Sequence, residues 1–217
     1  MAAYQAALSG QRVMLVEEQA EFGGWLLSDD AVKIDNMPAY DWVREMQSLL
    51  SNMDNVTLLP RTTMFGYGDH NYITLAERVT DHLSPRPSHL PRMRLWKVRA
   101  AQVILATGCI ERPLVFGGND LPGVMLASAV QSYITQYGAL PGSRAIIVTN
   151  NDTAYQAALA FQNAGGFVRA IVDTRTTVKG AWVKAAKDAG IDILSGYGLT
   201  GAYGIHHVGR VECHKHL

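Results

Sequence analysis

The chain is poor in cysteine: 217 residues hold two, Cys109 and Cys213, and they form neither a CxxC pair nor a disulfide framework. That excludes a redox dithiol and a disulfide scaffold, and it fits a reducing, cytoplasmic setting. There is no charge excess either. Nineteen basic and nineteen acidic residues cancel, which leaves no field to hold nucleic acid or an anionic membrane, and no basic arm with interleaved aromatics is present. No apolar run approaches the roughly 20 residues that cross a bilayer. The N-terminus lacks a basic segment before an apolar block, so no signal peptide is read there. Internal repeats and low-complexity tracts are also missing. What remains is an ordinary packed composition, 48% hydrophobic and 18% charged, of a size for one large domain or parts of two.

One more absence concerns a motif. The opening MAAYQAALSGQRVMLVEEQAEFGGWLL runs helix (Ala2 to Leu8), glycine turn (Gly10), apolar strand (Val13 to Val16) and acid (Glu17, with Glu18 beside it). This is the order of a nucleotide-binding βαβ unit, in which the acid holds a ribose hydroxyl about 20 residues beyond a glycine-rich phosphate loop. Here the acid is residue 17 and no such loop precedes it. A charged residue that merely ends a strand would look the same. The paired Gly23 and Gly24 strengthen the nucleotide reading, because a loop without side chains lets backbone approach a dinucleotide.

Further on, AYDWVREMQSLLSNM places Trp42, Val43, Met46, Leu49, Leu50 and Met53 on one helical face, and Val56 to Leu59 is a short buried strand. NYITLAERVTDHL reads as a weaker amphipathic helix, with Asp69-His70 in a loop before it. SPRPSHLPR, with three prolines, is an exposed loop. MRLWKVRA and QVILATG read as two apolar strands. GVMLASAVQSYITQYG is a helix stopped at Gly138. The pattern then restarts: RAIIVTN (strand), NDTAYQAALAFQNAGG (helix), FVRAIVD (strand), GAWVKAAKDAG (helix), IDILSG (strand), and a closing β-hairpin. Strands alternating with helices predict an α/β chain with parallel sheet, divided into residues 1–137 and 138–217.

The run VILATGCIERPLVFGGNDLPGVM is the most specific feature. An apolar strand ending in Ala106-Thr107-Gly108, then Pro113 and Pro122-Gly123, is the pattern of flavoproteins with two dinucleotide domains. In the second half, VTNNDTAYQAA stands where GxGxxA belongs, with Thr149 and Asn151 at the leading glycine positions. A Cβ there collides with a pyrophosphate, so this site is expected to have lost its phosphate. Asp152 is read as the helix N-cap, and Asp173 as a strand-ending acid with no ribose to hold. Cys109 is expected to be a buried structural thiol. His206, His207, His214 and His216 lie near Cys213, but no metal-binding spacing supports a zinc site. No catalytic residue is assigned.

The stretches GQRVMLVEEQAEFGG, LLPRTTMFGYGDHNYITLAERVTDHL, RLWKVRAAQVILATGCIERPLVF, DLPGVMLASAVQSYITQYG and TNNDTAYQAALAF resemble the alpha subunit of heterotetrameric sarcosine oxidase across nearly the whole chain. The resemblance implies a two-dinucleotide-domain, Rossmann-like flavoprotein fold with a small antiparallel element, truncated at both ends. It implies an NAD site, with FAD and FMN elsewhere in a complex that also has beta, gamma and delta subunits. By position, Glu17 and Glu18 match the ribose acid, Gly23 and Gly24 the loop beside NAD, Thr63, Met64 and Phe65 the strand near the adenine, and Ala106, Thr107 and Gly108 the segment under the cofactor. The family's activity is oxidation of sarcosine to glycine with hydrogen peroxide and one-carbon transfer to tetrahydrofolate. Its GxGPAG loop is expected just before Met1 and its folate region beyond Leu217, so the chain is read as an internal piece that alone binds NAD weakly. Two alternatives stand beside this: the alpha chain of an opine, proline or cyanide-forming dehydrogenase, and a non-catalytic scaffold.

Overall fold

Helix and strand alternate along the chain largely as the periodicity predicts. The computed structural model describes residues 1–29 and 31–215 and resolves them into two compact units, Met1–Gly108 and Cys109–Leu217. In the first, α1 (Ala2–Leu8) leads into β1 (Val13–Val16). A single 3-10 turn (Gly24–Leu27) follows, then the small hairpin of β2 (Lys33–Ile34) and β3 (Met37–Pro38), α2 (Ala39–Ser51) and β4 (Val56–Leu59). β1 and β4 pair in parallel, Val13 opposite Val56 through Val16 opposite Leu59. Parallel strands need a long crossover, which α2 and its flanking loops supply. On α2, Val43 and Leu50 are buried, while Leu49, expected on the same face, lies at its exposed margin. The Asn55 side-chain amide donates to Ala7 O at 2.9 Å and Gln11 O at 2.8 Å and so fixes the α1–β1 turn.

A three-stranded antiparallel sheet completes this unit, in the order β5 (Thr62–Gly68), β6 (Tyr72–Arg78), β7 (Met93–Arg99). Here the sequence reading fails: NYITLAER is a strand, not a helix. Ile73 and Leu75, two apart, both point to the same side and pack with Leu59 against Val16, Trp96 and Val98, which is strand periodicity. Asp69-His70 therefore belongs to a hairpin loop and precedes no helix. His70 and Asn71 take left-handed conformations (φ 58° and 53°) that close it, as tight hairpin loops require.

The second correction is VILATG. Residues 102–116 form no strand among the described residues. Val103 packs at the edge of the small core, but Ile104 and Leu105 are 68% and 63% exposed. A strand exists only where a neighbour satisfies its backbone, and none runs beside this segment.

In the second unit, α3 (Ala127–Thr135) packs on α4 (Thr153–Asn163). Residues 109–137, grouped with the first half from sequence, thus pack with the second: Gly117 also exchanges backbone bonds with the strand at Thr200 and Ala202. The sheet is parallel, in the order β10 (Ile193–Ser195), β9 (Phe167–Asp173), β8 (Arg144–Thr149). α4 and α5 (Ala181–Asp188) bury Tyr155, Ala158, Phe161, Val183 and Ala186 against Ile171 and Val168. Each fully buried large apolar side chain contributes roughly 1.5–3 kcal/mol relative to exposure. The turn after α4 needs Gly166, where a Cβ would lie 2.2 Å from the Phe161 ring. The predicted closing hairpin is β11 (Tyr197–Tyr203) with β12 (Arg210–Lys215), antiparallel; His216 lies outside the described residues.

Candidate functional site

The first unit presents the end of β1 as its candidate nucleotide edge. Glu17 continues the β1–β4 ladder: its N–H donates to Leu59 O at 3.0 Å and its carbonyl accepts from Thr62 N–H at 2.8 Å. The half-buried side chain turns onto the loop that follows, where Oε1 accepts the Gln19 N–H at 2.9 Å. Glu18 is exposed. Its carbonyl accepts a 2.8 Å bond from the Arg78 guanidinium at the end of β6, and Gln19 O accepts the Arg61 N–H at 2.8 Å. The acidic loop is thus clamped between the ends of β4, β5 and β6, which sets the Glu17 carboxylate at a fixed strand terminus.

Gly23 (φ 131°) lies against α2, where a Cβ would approach Leu27 and Val43 to 2.9 Å; Gly24 (φ 53°) has no heavy atom within 4 Å of that position. One glycine is there for packing, and the other leaves bare backbone open to a ligand. Thr63, Met64 and Phe65 follow directly on Thr62, the residue bonded to Glu17. All three are exposed, Phe65 at 61%, at a register shift between Met64 and Gly66. The structure therefore ties the acidic loop and the start of β5 together through backbone bonds. Ala106, Thr107 and Gly108 are exposed and in no hydrogen-bonded element.

The second unit carries a polar cluster at the corresponding strand ends. Asp173, at the end of β9, is wholly buried. Its Oδ1 accepts from the Arg175 N–H (2.9 Å) and Nε (3.0 Å), and its Oδ2 from Arg175 Nη2 (2.7 Å) and the buried Tyr155 hydroxyl (2.9 Å). Arg175 Nη2 also reaches Asp152 Oδ1 at 2.7 Å. Burial pushes the Asp173 carboxyl up, but the Arg175 and Tyr155 bonds outweigh it and hold the group below the usual carboxylate range. Burial and the bond to Asp173 push the Tyr155 phenol well above its ordinary value, and the two carboxylates do the same for Arg175. Arg175 and Tyr155 went unnoticed in the sequence; the available signal was a basic residue two positions after a strand-ending acid.

Two expectations fail here. Asp152 stands at the N-cap position of α4 but makes no capping bond, because its carboxylate is drawn to Arg175. The cap comes from Asn151, whose Oδ1 accepts the Thr153 N–H at 3.0 Å. Cys109 is exposed, not buried, since it lies on the unpaired 102–116 segment. Two residues on, Glu111 takes a role not foreseen: its carboxylate accepts the Ala127 and Ser128 N–H groups, 3.2 and 2.7 Å, at the start of α3. Cys213 borders a groove of about 420 Å³ with Val172, Ile193 and Val211, and burial pushes its thiol pKa up. Among the described residues no group of His, Cys, Asp and Glu gathers that could hold a metal ion, and no helix is long and apolar enough to cross a membrane.

The chain shares its fold with solved structures of a reductase and a dehydrogenase. A thioredoxin reductase from T. acidophilum superposes on 98% of the chain with a TM-score of 0.67 at 14% identity, covering 65% of that protein. An L-proline dehydrogenase from P. horikoshii superposes on 99% with a TM-score of 0.62 at 20% identity, covering 37% of it. No family model matches the chain. By sequence it is 44% identical to the sarcosine oxidase alpha subunit of Rhizobium meliloti (strain 1021) over 97% of its length, and 42% identical to that of Corynebacterium sp. (strain P-1) over 90%. An opine oxidase subunit from Agrobacterium tumefaciens (strain Ach5) is 26% identical over 92%. Over this segment the chain is similar in sequence to the sarcosine oxidase alpha subunits. It spans 22% and 20% of the two sarcosine oxidase relatives' lengths.

Proposed function

We infer that this chain is the NAD-holding portion of the alpha subunit of a multi-subunit amine oxidase of the sarcosine oxidase type. The carrying observation is the Glu17 carboxylate, fixed at the end of a parallel strand by backbone bonds on both sides. A carboxylate so placed suits the two hydroxyls of an adenosine ribose. Gly24 offers open backbone to the same ligand, and Thr63 to Phe65 are exposed on the strand that starts at Thr62, the residue bonded to Glu17. These residues fit the adenosine half of NAD; the glycine-rich loop that grips pyrophosphate in such units is not among them. NAD itself, when bound, supplies a hydride-accepting nicotinamide ring.

The rest of the activity lies with other parts of the assembly: oxidation of sarcosine to glycine, hydrogen peroxide formation and transfer of the one-carbon unit to tetrahydrofolate. No residue of this chain is assigned a catalytic role. Beta, gamma and delta subunits are the partners, with FAD and FMN among the complex's cofactors. In this reading the ribose acid and the ATG segment belong to one nucleotide unit and the degenerate phosphate site to the other.

Isothermal titration of NAD into the intact subunit tests the assignment. Glu17→Gln removes the charge but keeps the shape, and it weakens NAD by roughly 10- to 100-fold, as expected for losing charged hydrogen bonds of about 1.5–3 kcal/mol. Wild-type affinity in that variant would reject the site.

A further inference from the structure

A doubly wound unit takes a dinucleotide across the carboxyl ends of its strands. The pyrophosphate lies over the helix that follows the first strand, and the ribose on an acid that ends the second. In the second unit the protein itself occupies both places. Thr149 Oγ1, at the end of β8, bonds to both the Asn151 N–H (3.1 Å) and the Asn151 carbonyl (2.9 Å), and the Asn151 side chain takes the Thr153 N–H and, at 2.6 Å, the Thr153 hydroxyl. Two backbone donors of this turn, the Asn151 and Thr153 N–H groups, are therefore already engaged. At the end of β9, all the bonds of the buried Asp173 carboxylate run to Arg175 and Tyr155. The guanidinium spans from Asp173 to Asp152 at the first turn of α4, across the gap between the ribose and phosphate positions.

The charges point the same way. Two carboxylates share one guanidinium, so an entering pyrophosphate meets no spare positive group among these residues. Displacing Arg175 would leave a buried carboxylate without its cation, a heavily unfavourable state.

We propose that the Asp152–Arg175–Asp173–Tyr155 cluster is a built-in plug that fills the second nucleotide cleft, so that this unit takes no dinucleotide. The unit keeps the fold while the ligand's place is held by its own guanidinium. This rests on the second unit's geometry and stands independently of the NAD site inferred in the first.

Hydrogen-exchange mass spectrometry on the intact subunit, with and without saturating NAD⁺, NADH or NADPH, tests it. The plug predicts unchanged exchange at amides 149–155 and 173–176 with every dinucleotide. Ligand-dependent protection there overturns the proposal. In Arg175→Met the same amides exchange faster than in wild type; unchanged exchange in that variant denies Arg175 its role and likewise overturns it. Protection missing at residues 17–24 would instead strike the proposed NAD site and leave the plug in place.

Discussion

Removing the Arg175 guanidinium leaves the Asp173 carboxylate buried with Tyr155 as its side-chain partner. For a fully buried pair such a loss costs about 3–5 kcal/mol; Arg175 is one-third exposed, so about 2–3 kcal/mol is expected for Arg175→Met in chemical denaturation. The pH dependence separates wild type from variant. In wild type the folded Asp173 pKa lies below its unfolded value of about 3.9. Its contribution is then fully present above that unfolded value and is lost as pH falls through the folded one. In the variant the Tyr155 hydroxyl and the backbone N–H of residue 175 alone oppose burial, so the folded pKa rises from its wild-type value and the loss of stability in acid becomes shallower. An unaltered pH profile would show that Arg175 does not set this carboxylate. None of this was legible in DTRTTVKG, which reads as a polar loop; only the fold brings Tyr155, eighteen residues earlier, onto Asp173.

At the level of elements, the β5–β6–β7 sheet makes a sharp contrast available. Leu75 on β6 is 3% exposed, whereas Leu95, on the neighbouring β7, is 58% exposed. Leu75→Ala is expected to cost about 2–4 kcal/mol in thermal or denaturant unfolding, and Leu95→Ala about 0.5 kcal/mol or less. Equal effects would place the sheet's buried face wrongly. β6 is also the element the sequence misplaces. In NYITLAER the apolar residues at 73, 75 and 76 satisfy a short helical face as well as an alternating strand, and the deciding fact, a partner strand on each side, is not local. VILATG fails for the opposite reason. Its composition is that of a buried strand, yet strand structure belongs to pairs, and residues 102–116 have no neighbour here to pair with. By contrast α1, β1 and β4 could be read to the residue, because capping turns and apolar runs of the right length coincide. The Glu17 position followed from β1, while the bonds that clamp its loop come from Arg61 and Arg78, far along the chain.

For the whole molecule, the 217 residues correspond to about a fifth of the sarcosine oxidase relatives. Among the described residues β1 pairs on one side only, with β4, and Ile104, Leu105, Ile110 and Val115 are exposed along the unpaired segment.

The most direct measurement is photo-crosslinking of the intact subunit with 8-azidoadenine NAD⁺, followed by peptide mapping. The adenosine edge at Glu17 predicts label on peptides spanning residues 17–24 and 62–68, competed away by unlabelled NAD⁺. Competable label on 149–155 or 173–176 instead, with none near Glu17, would contradict it.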